Sequence, residues 1–204
     1  MRKKIKSADI VWFVSELDAT RISSDEKVGI KQITAAFGKE VWQHSVIVFT
    51  NADKVEPEKY ASTLRTRSSL IRKAIESHGL SNAAQDIPVV AVTNKNKVTP
   101  DGTPWIGELY AQSFFRMRAT GGLRFLLATQ AATSVGANGK KKARIPLNDR
   151  QEALIYKRLM KDVAEYAGYG EEIGEFLAGK AGKKVGKMVG SLIGAAKHFF
   201  TGWW

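Results

Sequence analysis

Three short apolar runs constrain the fold of this chain more than any other feature. They lie at 10–14, 46–49 and 89–92 and contain no charged residue. A continuous apolar run is typical of a strand buried on both faces of a parallel sheet, because a strand with one wet face alternates apolar and polar side chains. The runs therefore predict three parallel strands within residues 1–117.

The segments between these runs carry the start and stop signals of helices. Ser23 and Glu26 have the spacing of a capping box, and Gly38 can end the helix that they begin. Pro57 suits a first helical position, and Gly79 can close that second helix. A third helix is predicted after the last run. The alternation favours an α/β fold of three parallel βα units with right-handed crossovers.

The second apolar run is followed directly by the polar turn Thr50-Asn51-Ala52-Asp53. Nucleotide-binding α/β folds contact their ligands at the carboxyl ends of parallel strands. A carboxylate placed there can accept two hydrogen bonds from a guanine edge, and the peptide resembles the [NT]-K-x-D element with which GTPases select guanine. An ordinary turn stays open as the alternative, since Asn and Asp both tolerate turn geometry.

The phosphate end of such a site is not visible in the sequence. No G-x-x-x-x-G-K-[ST] loop occurs, and Gly-Lys pairs such as Gly139-Lys140 have the wrong spacing. Without that loop and its lysine, the β- and γ-phosphates and Mg²⁺ have no preorganised site. We therefore expect no phosphoryl-transfer catalysis by this chain alone, and no metal site of its own.

Several segments in a fixed order give a family resemblance. They follow or precede the predicted strands and read LDATR at 17–21, AFGKEVW at 36–42, IPVV at 87–90 and DGTPWI at 101–106. Together with T-N-A-D they resemble the chloroplast outer-envelope import-receptor GTPases and their avirulence-induced, or immune-associated, relatives. The resemblance covers about residues 7–117. It implies a partial P-loop GTPase domain, guanine nucleotide (GTP or GDP) and Mg²⁺ as ligands, and a nucleotide-controlled dimer.

The resemblance also implies roles for single residues. Asp53 would contact the guanine base, while Thr50 and Asn51 would shape its pocket, with Asn51 replacing the usual lysine. Thr93 and Asn94, after the third strand, match the last guanine loop, which closes over the base.

Arg21 matches an arginine that, in the import receptors, reaches across a dimer towards the partner's nucleotide. Its planar, permanently charged guanidinium suits a phosphate. A surface ion pair with Asp18 or Asp25 is the alternative. The family's phosphate loop and metal turn belong upstream of position 7, so we expect this sequence to be the back half of a longer GTPase. Nucleotide affinity would then be weak or lost, and Mg²⁺ would bind only together with that front half.

The net charge of +12 is concentrated in basic clusters at 2–6, 140–144 and 180–187. Such clusters attract phosphate groups, including lipid headgroups, although solvated surface is the simpler alternative. No zinc-finger, RNA-recognition or helix-turn-helix signature accompanies them, so nucleic acid is not expected as a partner. Without cysteine or a signal-peptide pattern, the chain is expected to be cytoplasmic and peripheral on a membrane.

Beyond the α/β part, 1–117, we predict a basic glycine-containing linker at 118–150 and a helical region at 151–204. A helix is expected from about Asp149 to Ala167. Four glycines follow at a spacing of four, and the chain ends in FFTGWW. This glycine zipper fits either a helix lying on an anionic membrane or a paired helix. The zipper glycines are Gly182, Gly186, Gly190 and Gly194.

The sequence therefore predicts a GTP-binding protein that acts in guanine-nucleotide-controlled association at a membrane, paired with itself or with a related GTPase. Two alternatives stay open: a non-catalytic dimerisation module, and a basic membrane- or nucleic-acid-binding protein with a vestigial guanine motif.

The tail hypothesis has a direct test. Because its lysines and terminal aromatic residues favour an anionic headgroup layer, a chain ending at Ala167 should sediment with anionic liposomes less than the full chain. Equal sedimentation of the two chains would show that the tail is not an anchor.

Overall fold

The computed structural model describes residues 8–78, 83–119 and 147–162, together with positions 121, 122, 125, 129 and 145. The basic cluster at 140–144 and the predicted glycine zipper lie outside the described residues. The chain divides into two compact units. The first is Met1–Gly122 with Ile145–Ile155, and the second is Leu123–Arg144 with Tyr156–Trp204.

The first unit contains a parallel three-stranded sheet. Its strands are β1 (Val11–Glu16), β2 (Ser45–Thr50) and β3 (Val89–Ala91), in the order β1-β2-β3. Glu16 at the end of β1 lies opposite Thr50 at the end of β2, so both strands finish at the same edge. The predicted parallel α/β arrangement is confirmed.

Four helices are described: α1 (Ser24–Phe37), α2 (Pro57–Glu76), α3 (Trp105–Arg116) and α4 (Asp149–Lys161). The capping box of α1 is confirmed, because the Glu26 N–H donates to Ser23 Oγ and the Ser23 N–H donates to Glu26 Oε2. Gly38 ends α1 at a φ of 80°, and Pro57 opens α2. Gly79, predicted to close α2, lies outside the described residues.

The sheet is covered on both faces. Crossovers that run in the same direction place α1 and α2 on one face, and α3, which follows β3, packs on the other. Trp42 anchors the first face, with its ring 5.9 Å from that of Phe13 and its Nε1–H donating to Thr34 Oγ1 at 2.9 Å. On the second face, Trp105 and Leu109 of α3 pack against four valines of the sheet and its β3 end. These are Val46, Val48, Val90 and Val92.

The outer strand β1 departs from the sequence expectation of burial on both faces. Phe13 and Ser15 are buried, whereas Trp12 is 48% exposed and Val14 55% exposed. The valines that α3 covers belong to β2 and to the β3 end of the sheet. Trp12 contacts α3 through its ring nitrogen, whose Nε1–H donates to Ser113 Oγ at 2.9 Å. β1 is an edge strand of the described sheet, so only its α1–α2 face is fully covered.

The start of α4 is attached to α3 by a buried carboxylate. Glu108 accepts hydrogen bonds from Gln112, Arg150 and Gln151. Burial raises the pKa of Glu108, but these hydrogen bonds and the Arg150 charge outweigh burial and hold the pKa below its ordinary value. The carboxylate therefore stays ionised at neutral pH and links α3 to the start of α4.

Candidate functional site

The turn after β2 is held at the carboxyl edge of the sheet by main-chain bonds. Asn51 adopts a left-handed conformation with a φ of 61°, which Asn tolerates better than most residues. The N–H of the buried Ala52 donates to the Val92 carbonyl at 3.2 Å. This bond joins the turn to the end of β3, so the residues that follow both strands are kept close together.

Thr50 and Asn51 contact the neighbouring strand β1. The Thr50 hydroxyl donates to the Ser15 carbonyl at 3.3 Å, and Asn51 Nδ2 donates to Glu16 Oε1 at 3.3 Å. Their side chains thus fix the position of the turn, which is compatible with the predicted role of shaping a pocket.

The carboxylate of Asp53 meets two residues that follow β3. Thr93 Oγ1–H donates to Asp53 Oδ1 at 2.8 Å, and Lys95 Nζ lies 3.3 Å from Asp53 Oδ2. Thr93 is buried and its oxygen also accepts the Lys95 main-chain N–H at 3.1 Å. Two predicted site residues, Asp53 and Thr93, are therefore in direct contact across the ends of β2 and β3.

These contacts favour the ionised form of Asp53. The hydrogen bond from Thr93 lowers the pKa of Asp53 most, and the Lys95 ammonium acts in the same direction against the opposing effect of desolvation. An ionised carboxylate is an acceptor at both oxygens. Such a carboxylate can accept hydrogen bonds from an edge with two adjacent N–H donors.

Asn94 lies between Thr93 and Lys95 and is exposed. The loop that carries it is closed by local bonds, with Trp105 Nε1–H donating to the Asn96 carbonyl at 2.9 Å and the Thr99 N–H donating to Thr103 at 3.0 Å. The loop therefore returns to the start of α3 and holds Asn94 at the carboxyl edge of the sheet.

Lys95 was missed by the sequence analysis. It follows Thr93-Asn94 directly, and the end of β3 neighbours the end of β2, so the order of the strands places a cation beside Asp53. The signal was the lysine next to the predicted guanine loop, but its contact depends on a loop conformation that the sequence does not specify.

The loop that carries Arg21 is fastened by a buried arginine, Arg67, whose side chain is 1% exposed. Arg67 Nη1 donates to the Arg21 carbonyl and Nε to the Glu16 carbonyl, each at 3.0 Å. Its Nη2 donates to Ser15 Oγ at 2.8 Å and pairs with the Glu26 carboxylate. The main chain of Arg21 is thereby fixed while its side chain is exposed.

Arg67 was also missed, although a signal existed. It falls on the apolar stripe of α2, between Leu64 and Ile71, where a charged residue faces the core. Of the two carboxylates considered as partners of Arg21, Asp18 pairs with Lys54 at 3.8 Å.

A groove of about 460 Å³ lies between the loop after β1 and the start of α2. Asp18, Lys54 and Arg67 line it, and Lys54 directly follows Asp53 in sequence. The groove thus lies beside the Arg21 loop and is lined by residues of that loop and of α2.

The described part of the chain lacks two features. Within 8–78, 83–119 and 147–162, no group of three His, Cys, Asp or Glu residues is placed to hold a metal ion. In that same part, no helix has the length and hydropathy needed to cross a membrane.

Comparison with known proteins finds relatives for the first part of the chain. Residues 2–83, which include Arg21 and the turn from Thr50 to Asp53, match the model of the AIG1 family. The first part of the chain is therefore similar in sequence to the AIG1 family. Translocase of chloroplast 34 of Pisum sativum is 34% identical over an alignment of 118 residues, which covers 51% of this chain and 38% of that protein. The chain thus spans well under half the length of the curated relatives it matches.

Solved structures give matches of similar extent. Toc33 of Arabidopsis thaliana in complex with GDP and Mg²⁺ is 27% identical over 52% of this chain and 50% of that chain, with a TM-score of 0.46. A structure concerned with dimerisation and GTPase activity of the chloroplast translocon components atToc33 and psToc159 is 25% identical over 53% and 49%, with a TM-score of 0.45. The similarity of the first part of the chain to Translocase of chloroplast 34 is therefore carried by sequence.

The Glu26–Arg67 pair generates a pH prediction. Burial raises the pKa of Glu26, but hydrogen bonds from Ser15 and Ser23 and the Arg67 charge together lower it beneath the ordinary 4.5. A carboxyl whose pKa is depressed on folding stabilises the fold fully above its unfolded pKa and loses that effect as the pH falls through the folded pKa. Glu26→Gln should therefore cost about 2 kcal/mol of unfolding free energy at pH 7 and clearly less towards pH 3.

Urea unfolding at a series of pH values measures both quantities. Glu58→Gln, at an exposed position in the first turn of α2, is the matched control and should change stability by less than about 0.5 kcal/mol. A Glu26→Gln cost that stays constant from pH 7 to pH 3 would contradict the prediction.

Proposed function

We propose that this chain binds the base of a guanine nucleotide as part of a G domain, and that it acts in nucleotide-controlled association. The observation that carries the proposal is the Asp53 carboxylate, held by Thr93 at the shared edge of two parallel strands. The relation of residues 2–83 to GTPase import receptors supports the choice of guanine over other bases.

The chemistry of the carboxylate explains the proposed selectivity. Guanine presents N1–H and N2–H side by side, and an ionised Asp53 can accept both. Adenine presents an acceptor where guanine has N1–H, so a lone pair would face the carboxylate. A site built around this acceptor disfavours such a ligand, because the carboxylate would face a lone pair in place of a hydrogen-bond donor.

The proposal for this chain concerns the base end of the nucleotide. The phosphates and Mg²⁺ require a glycine-rich loop and its lysine, which this sequence does not contain. Thr50, Asn51 and Asn94 are proposed to line the base pocket, with Asn94 exposed and available to the ligand. The tail is proposed to bring the protein to an anionic membrane surface.

Base selectivity is tested by titrating the full chain with a fluorescent GTP analogue and competing with GTP, ATP and XTP. GTP should compete better than ATP. Asp53→Asn should weaken GTP binding about tenfold or more, because a charge-assisted pair of hydrogen bonds is lost, and should shift the preference towards XTP.

Asp18→Asn is the matched control for that titration. It removes a carboxylate of the same edge that pairs with Lys54 and has no proposed contact with the base. If Asp53→Asn and Asp18→Asn weakened GTP binding equally, or if ATP competed as well as GTP, base reading by Asp53 would be wrong.

A second proposed function is association through the Arg21 loop, with a second copy or a related GTPase. The supporting observation is the exposed side chain of Arg21 on a main chain fixed by the buried Arg67. A preorganised arginine of this kind loses little freedom on binding, which favours affinity.

Arg21→Ala should weaken association with an intact Toc33-type receptor about tenfold, the effect of removing one strong interface residue. Sedimentation velocity of the mixture, with GDP present, measures the dissociation constant. Arg65→Ala, which removes an exposed arginine from α2, is the control and should leave association unchanged. Equal effects of the two substitutions would indicate a general charge effect and would reject this role of Arg21.

A further inference from the structure

The two oxygens of Asp53 are held in different ways. Oδ1 accepts the Thr93 hydroxyl at 2.8 Å, and Thr93 is 2% exposed, so that bond is shielded from water. Oδ2 faces the Lys95 ammonium at 3.3 Å, and the Lys95 side chain is 75% exposed. One oxygen thus accepts a shielded hydrogen bond from the protein, while the other is covered by a group that can leave.

The geometry of the second contact is that of a weak ion pair. A strong ammonium–carboxylate hydrogen bond is about 2.7–2.9 Å long, and exposed pairs contribute little because water and salt compete with them. With Lys95 in place, the Asp53 side chain is only 11% exposed, and the Lys95 ammonium covers Oδ2. A ligand that reads this acceptor has to displace the ammonium first.

We propose that Lys95 is a counter-ion gate of the base site: its ammonium neutralises Asp53 in the empty site and competes with the guanine edge for Oδ2. This inference rests on the proposed function. Lys95 thereby becomes a specificity-determining residue, because a ligand with only one weak donor gains too little from Asp53 to displace the ammonium. A ligand with two adjacent N–H donors replaces it at Oδ2 and adds a second hydrogen bond at Oδ1, since a carboxylate oxygen can accept two hydrogen bonds.

The main chain and the side chain of Lys95 have separate tasks, which makes the gate testable. The main-chain N–H donates to Thr93 Oγ1 at 3.1 Å and keeps the loop beside Asp53. Lys95→Met preserves this bond and the length of the apolar stem while removing the charge. The substitution therefore opens the gate without removing a hydrogen bond from the loop.

Guanosine is the suitable probe, because a neutral nucleoside presents the base edge without a phosphate that would attract any lysine. Binding is followed by the amide resonances of the full chain. Lys95→Met should bind guanosine about two- to fivefold more tightly than the wild type, the range expected for the loss of an exposed ion pair. Raising the salt concentration should tighten binding to the wild type by screening the pair, and should leave Lys95→Met unchanged.

Lys97→Met, which removes an exposed lysine from the same loop, is the control and should resemble the wild type. If the wild type binds guanosine and Lys95→Met binds it equally or more weakly, the gate is overturned while base reading by Asp53 stands. If neither protein binds guanosine, both the gate and the proposed function are overturned.

Discussion

The burial of β2 is the constraint on which the rest of the first unit depends. Every residue from Ser45 to Phe49 is buried, with α1 and α2 on one side and α3 on the other, and both edges of the strand are paired. The turn that follows β2 therefore begins from a strand that is held on both faces and at both edges. Asp53 gains its position from the most constrained part of the sheet, and it needs no glycine-rich loop to hold it.

A buried charge connects this turn to the loop of Arg21. Glu16 accepts Asn51 Nδ2 with its side chain and Arg67 Nε with its main-chain carbonyl. Arg67 is tolerated inside the fold because the surrounding carbonyls, Ser15 and Glu26 satisfy its donors. The two regions with proposed functions, one for a base and one for a partner, thus share the carboxyl end of β1.

Much of the framework could be predicted because local signals and the global fold agree. The apolar runs indicated the strands, the capping box located α1, and the shared edge of parallel strands brought Asp53 and Thr93 together. The expectation for β1 was wrong on one face. An apolar run shows that a strand is able to be buried on both faces. Whether β1 is buried on its second face depends on how far α3 extends over the sheet, and that extent is decided by packing.

The sequence by itself determined which residues form strands and helices, and which of them follow the strands, because periodicity and caps act over a few neighbours. Only the tertiary structure decided the partners of the charged side chains. Lys95 covers Asp53, and Arg67 points inward to Glu26, because segments distant in sequence meet at these places. Such pairings depend on how the helices, strands and loops pack together. The same charged side chain is solvated in one packing and forms a buried ion pair in another.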